Sequence, residues 1–206
     1  MSYDAFATTF SNSRKNLHWP ELEYIIENIK NNEYRSILDV GCGNGRFLEE
    51  SEKLWYIPDQ YLGVDNSEGM ILEARKLHSE THFEVIWMQD IKQIETTYDA
   101  IVFLASFHHL ESVGERIQVL KDIKKLLHPN GRIYMTNWNL REQSKYEKSH
   151  RENGDFDIKI GEFFRYYHWF TLIELEGLFK KTEYEIIENR IFEGGRNLIS
   201  MIGLGI

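Results

Sequence analysis

A single cysteine in 206 residues leaves no disulfide scaffold and no structural zinc site of the usual four-ligand kind. Three prolines and 14 glycines exclude collagen-like and linker-rich classes. No run of about 18 apolar residues occurs, so no membrane span is expected. The opening Met1-Ser2-Tyr3-Asp4-Ala5-Phe6 lacks the basic stretch and apolar core of a signal peptide. A reduced, cytoplasmic setting is the expectation. Basic residues are scarce relative to acidic ones: 24 Lys and Arg face 33 Asp and Glu, a formal charge of −9. Such a chain has no general electrostatic pull toward nucleic acid, which leaves only a local basic patch for that role.

What is present is enough for a core. Apolar residues make up 42% and aromatics 14%. A chain of this size buries roughly 70% of its extended surface on folding. We expect one domain over 1–206, with 1–33 as lid helices and 139–170 as an insertion on the substrate side. Leu22, Ile25, Ile26 and Ile29 have helical spacing over Glu21 to Lys30, and Trp19-Pro20 suits the start. Ser36–Val40 and Tyr61–Val64 read as short strands, each followed by a helix: Arg46–Leu54, and a Ser67-capped helix to about His78. Phe83–Met88 and Ala100–Ala105 follow as strands three and four. Glu115–Leu127 reads as an amphipathic helix stopped by Pro129-Asn130-Gly131, and Arg132–Trp138 as strand five. Asn139–Gly161 reads as a polar insertion and Thr171–Phe179 as a helix. Glu185–Phe192 and Leu198–Ile202 close the chain as strands, with Gly194-Gly195 turning between them. Strand–helix alternation predicts an α/β, Rossmann-like, doubly wound sheet of seven strands, mostly parallel, with one antiparallel strand near the C-terminus.

The chemistry concentrates where the strands end. Asp39-Val40-Gly41-Cys42-Gly43-Asn44-Gly45-Arg46 falls between the first strand and its helix. Its glycines permit a tight turn and let a ligand approach bare backbone, and the helix start offers free N–H groups to a carboxylate or a phosphate. The run lacks the Gly-Lys-Ser/Thr ending of a phosphate loop, which disfavours an NTPase. Asp65, 22 residues after Gly43, ends strand two, where a carboxylate accepts both hydroxyls of a ribose. Asp90, beside Ile91, ends strand three, where an acid reads an adenine amine and an apolar neighbour covers the ring. Taken singly, Asp39 reads equally as a helix cap, Asp65 as an Asx turn and Asp90 as a solvated turn residue. In order, at neighbouring strand ends, the three acids point to a nucleoside.

Asp39-x-Gly41-x-Gly43-x-Gly45, Gly63-Val64-Asp65 and Gln89-Asp90-Ile91 resemble the class I S-adenosylmethionine methyltransferases over about the first 140 residues. Pro129-Asn130-Gly131-Arg132 is similar to that family's turn before strand five, normally Pro-Gly-Gly. An NAD enzyme is disfavoured, because its G-x-G-x-x-G fingerprint has glycine or alanine where Arg46 stands. The resemblance implies S-adenosyl-L-methionine as cofactor and no metal. It places Asp39, Gly41 and Gly43 on the methionine portion, Asp65 on the ribose, and Asp90 and Ile91 at the adenine, with Asn66 among the cofactor-binding residues. Leu104 joins the cofactor wall, and Tyr3 lies on a segment able to fold over it as a lid.

A narrower resemblance covers nearly the whole chain. Tyr3, Ala7, Phe10-Ser11, Ser13-Arg14, Trp19-Pro20, Phe107-His108-His109-Leu110, Trp138, Gln143-Ser144-Lys145, Gly154-Asp155 and Arg165-Tyr166-Tyr167-His168 resemble the tRNA methyltransferases that esterify 5-carboxymethyluridine at the wobble position. This implies methyl transfer to a carboxylate, which needs orientation rather than a general base. The planar fork of arginine suits that task, and the candidates are Arg14, Arg165 and Arg196, in that order. Arg14 and His108 are the catalytic candidates, with His109 packed under the sheet edge. Arg165, Tyr166 and Arg196 are the substrate-binding candidates; Tyr166 or Tyr167 is suited to stacking a nucleobase, and a core stripe is the competing reading. Arg141, Lys145, Lys148, His150 and Arg151 form the best basic patch, interleaved with Glu142, Glu147 and Glu152. Cys42 has no activating partner and is not a nucleophile candidate. tRNA and a small activating protein are the expected partners. A small-molecule acceptor with the same cofactor site is the alternative, as is a non-catalytic binding subunit of the same fold.

Overall fold

The structure is a computed structural model, which describes residues 19–151, 155–160 and 163–205. Tyr3 and Arg14 lie outside the described residues. Helix α1 (Pro20–Asn31) begins with Pro20 in its first turn, where no N–H is missed, and buries Leu22, Ile25, Ile26 and Ile29 completely. Strand β1 (Ser36–Val40) is buried at every position, as a central parallel strand must be. Helix α2 (Arg46–Lys53), β2 (Gln60–Asp65), α3 (Glu68–Leu77) and β3 (His82–Val85) continue the alternation. Ser67 caps α3, its Oγ accepting the Met70 N–H at 3.2 Å. Next come β4 (Tyr98–Leu104), α4 (Val113–Ile123) and β5 (Leu127–Trp138). A small antiparallel hairpin of β6 (Phe156–Ile160) and β7 (Phe163–Tyr167) follows, and α5 (Leu172–Lys181), β8 (Tyr184–Ile191) and β9 (Asn197–Leu204) end the fold.

The main sheet has seven strands in the order β3-β2-β1-β4-β5-β9-β8. Strands β1 to β5 pair in parallel, and β9 runs antiparallel to both β5 and β8. The expected single antiparallel strand is therefore β9. The chain winds outward from β1 to β3 and then crosses back to β4 on the other side of β1. Loops at the carboxyl ends of β1 and β4 diverge there, which opens the crevice of a doubly wound sheet. One apolar layer, around Phe103, Ile133 and Phe179, covers one face; a second, around Ile26, Phe47 and Tyr134, covers the other. Among the described residues, no helix is long and apolar enough to cross a membrane.

Three local expectations change. Helix α4 starts earlier, at Val113, because Ser112 and Glu115 form a reciprocal capping box, and it ends at Ile123. Pro129-Asn130-Gly131 therefore does not stop it; a short 3-10 turn at Lys124–Leu126 does, as buried Leu126 and Leu127 draw the chain into β5. Gly131 permits that entry, since a Cβ there would sit 2.7 Å from the Asp99 carbonyl oxygen. Strand β3 stops at Val85, and Met88–Gln93 coils into a 3-10 turn. The end of the polar insertion forms β6, which pairs with β7 just beyond it, and Phe156, Ile158 and Tyr167 of this hairpin pack with Leu140 into a small core of their own.

Candidate active site

The bend after β1 is built as the glycines suggest. Gly41, Gly43 and Gly45 all have positive φ. A side chain at Gly41 would place its Cβ 2.4 Å from Ser106 Cβ, on the turn that follows β4. Ser106 Oγ donates to the Val40 carbonyl at 2.6 Å and locks the two turns together. Ala105, just before it, has φ 51, a left-handed conformation held by its N–H bond to Thr136 Oγ1 at 2.9 Å. Gly41 and Cys42 both donate N–H to the Val64 carbonyl, at 2.7 and 3.0 Å. Burial pushes the Cys42 thiol up, so it stays protonated and inert.

Asp39 ends in a cavity of about 790 Å³ beside this bend. It is 1% exposed. Its Oδ2 accepts the Tyr61 hydroxyl at 2.8 Å, and its Oδ1 has no hydrogen-bond partner among the described residues. Burial raises its carboxyl to about 7, against the opposing pull of Tyr61. A buried acid with an orphaned oxygen, facing bare glycine backbone, suits a ligand ammonium or sulfonium. Asp65, at the end of β2, is buried and faces the same cavity. Its Oδ2 accepts the Gly43 N–H at 3.0 Å and its Oδ1 the Ser67 N–H at 2.9 Å. Burial raises its carboxyl and these bonds oppose the rise. Asn66 and Leu104 line the wall with it.

The adenine end differs from expectation. Asp90 is exposed and Ile91 is fully buried in the core, and neither lines the cavity. The early end of β3 is the cause: the 3-10 turn rotates Asp90 outward and Ile91 inward. Trp87, Met88 and Gln89 take the wall instead, with Gln89 Nε2 donating to Glu115 Oε1 at 3.0 Å.

The acceptor end reverses the two histidines. His108, the expected catalytic one, is completely buried and does not line the cavity. It packs against Trp138 and Tyr167, and burial lowers it to about 3. His109, expected beneath the sheet, faces the cavity. The three-residue period of the 3-10 turn decides this: Phe107 and His108 fill the interior, and His109 turns out. His109 Nδ1 lies 3.0 Å from the Tyr166 carbonyl and 3.2 Å from Arg165 Nε. It donates to the carbonyl in one tautomer and accepts from the guanidinium in the other. Burial and the Arg165 charge hold His109 neutral, well below the usual histidine range.

Arg165 and Tyr166 both line the cavity, but Arg196 does not. Arg196 sits exposed in the turn before β9, its carbonyl accepting the Asn139 N–H at 2.9 Å. It stands beside the carboxyl end of β5, just before Asn197 pairs with Trp138, and its side chain is solvent-exposed. Sequence reasoning missed Trp19, Ser106, Trp138 and Asp157 on the cavity wall. Trp19 and Trp138 carried a signal, both lying in segments that resemble the tRNA methyltransferases, and Trp138 also ends β5.

The substrate-side wall hangs on a charged clasp. His168 sits between Asp155 Oδ1 at 2.5 Å and Glu174 Oε1 at 2.8 Å. Asp155 Oδ2 accepts the Tyr166 hydroxyl at 2.8 Å, and Arg116, 2% exposed, donates to that hydroxyl at 3.2 Å. The Tyr166 hydroxyl is thus committed, and its ring is what remains to meet a ligand. His168→Ala strips Asp155 of a partner inside the fold. We expect a loss of roughly 2 kcal/mol of stability, read as a lowered denaturant midpoint; an unchanged midpoint would show the clasp to be idle.

Among the described residues, no group of three or more His, Cys, Asp or Glu is placed to hold a metal ion. The orphaned Asp39 oxygen, the glycine cradle and the cavity size fit S-adenosyl-L-methionine. Residues 37–131 match a family described as a methyltransferase domain. The tRNA (carboxymethyluridine(34)-5-O)-methyltransferase of Mus musculus is 28% identical over 151 residues, which cover 71% of this chain and 21% of that protein. The chain spans well under two thirds of the length of the curated relatives bearing that name. An S-adenosylmethionine-dependent methyltransferase structure from Clostridium acetobutylicum superposes with TM-score 0.76 at 15% identity, covering 99% of both chains. A putative methyltransferase from Haloferax volcanii, solved in complex with the Trm112 methyltransferase activator, superposes with TM-score 0.75 at 14% identity, covering 99% of this chain and 98% of that one.

Proposed function

We propose that this S-adenosyl-L-methionine-dependent methyltransferase domain esterifies the carboxylate of a 5-carboxymethyluridine in tRNA. The observation that carries the reading is the acceptor end of the cavity, where a guanidinium stands beside a histidine stripped of its basicity. A hydroxyl or amine acceptor needs a group to take its proton. Neither His109, held neutral far below its usual range, nor the committed Tyr166 hydroxyl suits that task. A carboxylate is already a nucleophile and needs only to be aimed. Arg165 does this by charge and by its planar fork. The relatives named for carboxymethyluridine in tRNA support the same acceptor.

When bound, the cofactor supplies an electrophilic methyl group on a sulfonium. The chain's part is positional. Asp39 attracts the cationic amino acid end, Gly41 and Gly43 admit it to the backbone, and Asp65 grips the ribose hydroxyls. The β6–β7 hairpin covers the opposite side and excludes water from the in-line path. Tyr3, Arg14 and His108 stay in the proposal as lid, second carboxylate anchor and acceptor-side support. For His108 that support runs through packing beneath Trp138 and Tyr167. A small activating protein belongs to it too, as in the Haloferax volcanii complex.

The Asp39 carboxyl gives the cofactor step a pH signature. Ligand-free Asp39 loses its proton at about 7. A cationic ligand favours the ionised form, so binding releases a proton below that pH. S-adenosylmethionine affinity is expected to fall up to roughly tenfold per pH unit below 7, and Asp39→Asn is expected to flatten the profile. Calorimetry from pH 5.5 to 8 reads both, and a flat wild-type profile removes Asp39 from the site. The test of the proposal as a whole is mass spectrometry of nucleosides after tRNA bearing 5-carboxymethyluridine is incubated with labelled methyl donor. The methyl ester is expected; turnover of a small carboxylate or hydroxyl compound, with none on tRNA, favours the small-molecule reading.

A further inference from the structure

The β6–β7 hairpin has two unlike faces. Residues directly opposite across the strands share a face. On one face Phe156, Ile158 and Tyr167 are buried in the small core around Leu140. On the other, Asp157 pairs with Tyr166 and Lys159 with Phe164. Phe164 is 63% exposed although it lines the cavity mouth. Arg151 binds Asp157 through two hydrogen bonds, of 2.5 and 2.6 Å, and its guanidinium stands 5.4 Å over the Tyr166 ring. The Asp157 charge is thereby taken up, and Lys159, exposed and in no ion pair among the described residues, is the cation left over. An exposed ring beside an uncompensated cation is an arrangement that binds single-stranded nucleic acid, the ring stacking a base and the cation meeting a phosphate. On a chain of formal charge −9, attraction to RNA has to come from local cations such as this one.

We propose that the outward face of this hairpin is a platform for a nucleotide flanking the one that is methylated, with Phe164 under its base and Lys159 on its phosphate. The inference rests on the tRNA reading above and adds to it a contact outside the reacting pocket. A free small-molecule acceptor has no flanking nucleotide and makes no use of the platform. The partner is therefore a single-stranded RNA loop, with the methylated base inside the cavity and its neighbour on the rim.

The test measures binding of a fluorescein-labelled anticodon stem-loop RNA by anisotropy over a salt series. Phe164→Ala is expected to weaken binding roughly five- to a hundredfold, and Phe164→Trp to retain it. Lys159→Ala is expected to lower the salt slope by about 0.7. Binding of S-adenosylhomocysteine by the same variants reports that the fold and the cofactor end are intact. RNA affinity unchanged in Phe164→Ala, or lost equally in Phe164→Trp, overturns the platform and leaves the tRNA reading standing. A wild-type chain that does not bind the RNA at all overturns both.

Discussion

Asp65→Ala is expected to weaken S-adenosylhomocysteine binding by about a hundredfold or more. A hydrogen bond to a charged group contributes about 1.5–3 kcal/mol, and in the proposed pose the carboxylate accepts two from the ribose. The residue has a second task, because its oxygens accept the N–H groups of Gly43 and Ser67. Removing it should therefore loosen the glycine bend as well as the proposed grip on the sugar. Asp65→Asn keeps one acceptor oxygen and should fall between wild type and Ala. Calorimetry reads the affinity, and a thermal melt separates it from unfolding. A folded Ala variant that binds within about threefold of wild type would move the ribose elsewhere.

Arg165→Ala is expected to lower kcat/KM for the carboxylate acceptor by about a hundredfold, the usual scale for a misaligned reactant. Arg165→Lys should recover only part of that, since an ammonium supplies charge without the bidentate plane. Cofactor affinity should hold. A second readout isolates the electrostatics. The Arg165 charge is among the causes that keep His108 and His109 deprotonated. Without it both histidines should take up protons at a higher pH than before, although burial, the larger cause, still holds them low; NMR titration of their ring protons reads the shift. An Ala variant with wild-type kcat/KM would leave the carboxylate without its anchor and favour another acceptor.

The comparison between sequence and fold is uneven, and the reasons are physical. Helix α1, strand β1, helix α2 and the Ser67 cap were legible because local patterns set them: apolar spacing, a proline in the first turn, glycines after an apolar run. Asp39 and Asp65 were legible for the same reason, since a strand end is a local feature. Asp90 was not. Its strand ends three residues earlier than its apolar run suggests, and a shift of that size turns a side chain from the cavity to solvent. The histidine pair failed in the same manner. In a 3-10 turn of three residues one side chain is left facing out, and only packing against Phe107, Trp138 and Tyr167 decides which histidine goes inside.

By itself the sequence determined the order of strands and helices, the glycine bend and the two acids beside it, because each depends on neighbours within a few residues. Only the tertiary structure decided the acceptor end. The hairpin, the exchange of His109 for His108, the clasp around His168 and the distance of Arg196 from the cavity all come from contacts between segments tens of residues apart. Such contacts are set by packing volume and by which buried polar groups find partners, and neither leaves a periodic trace along the chain.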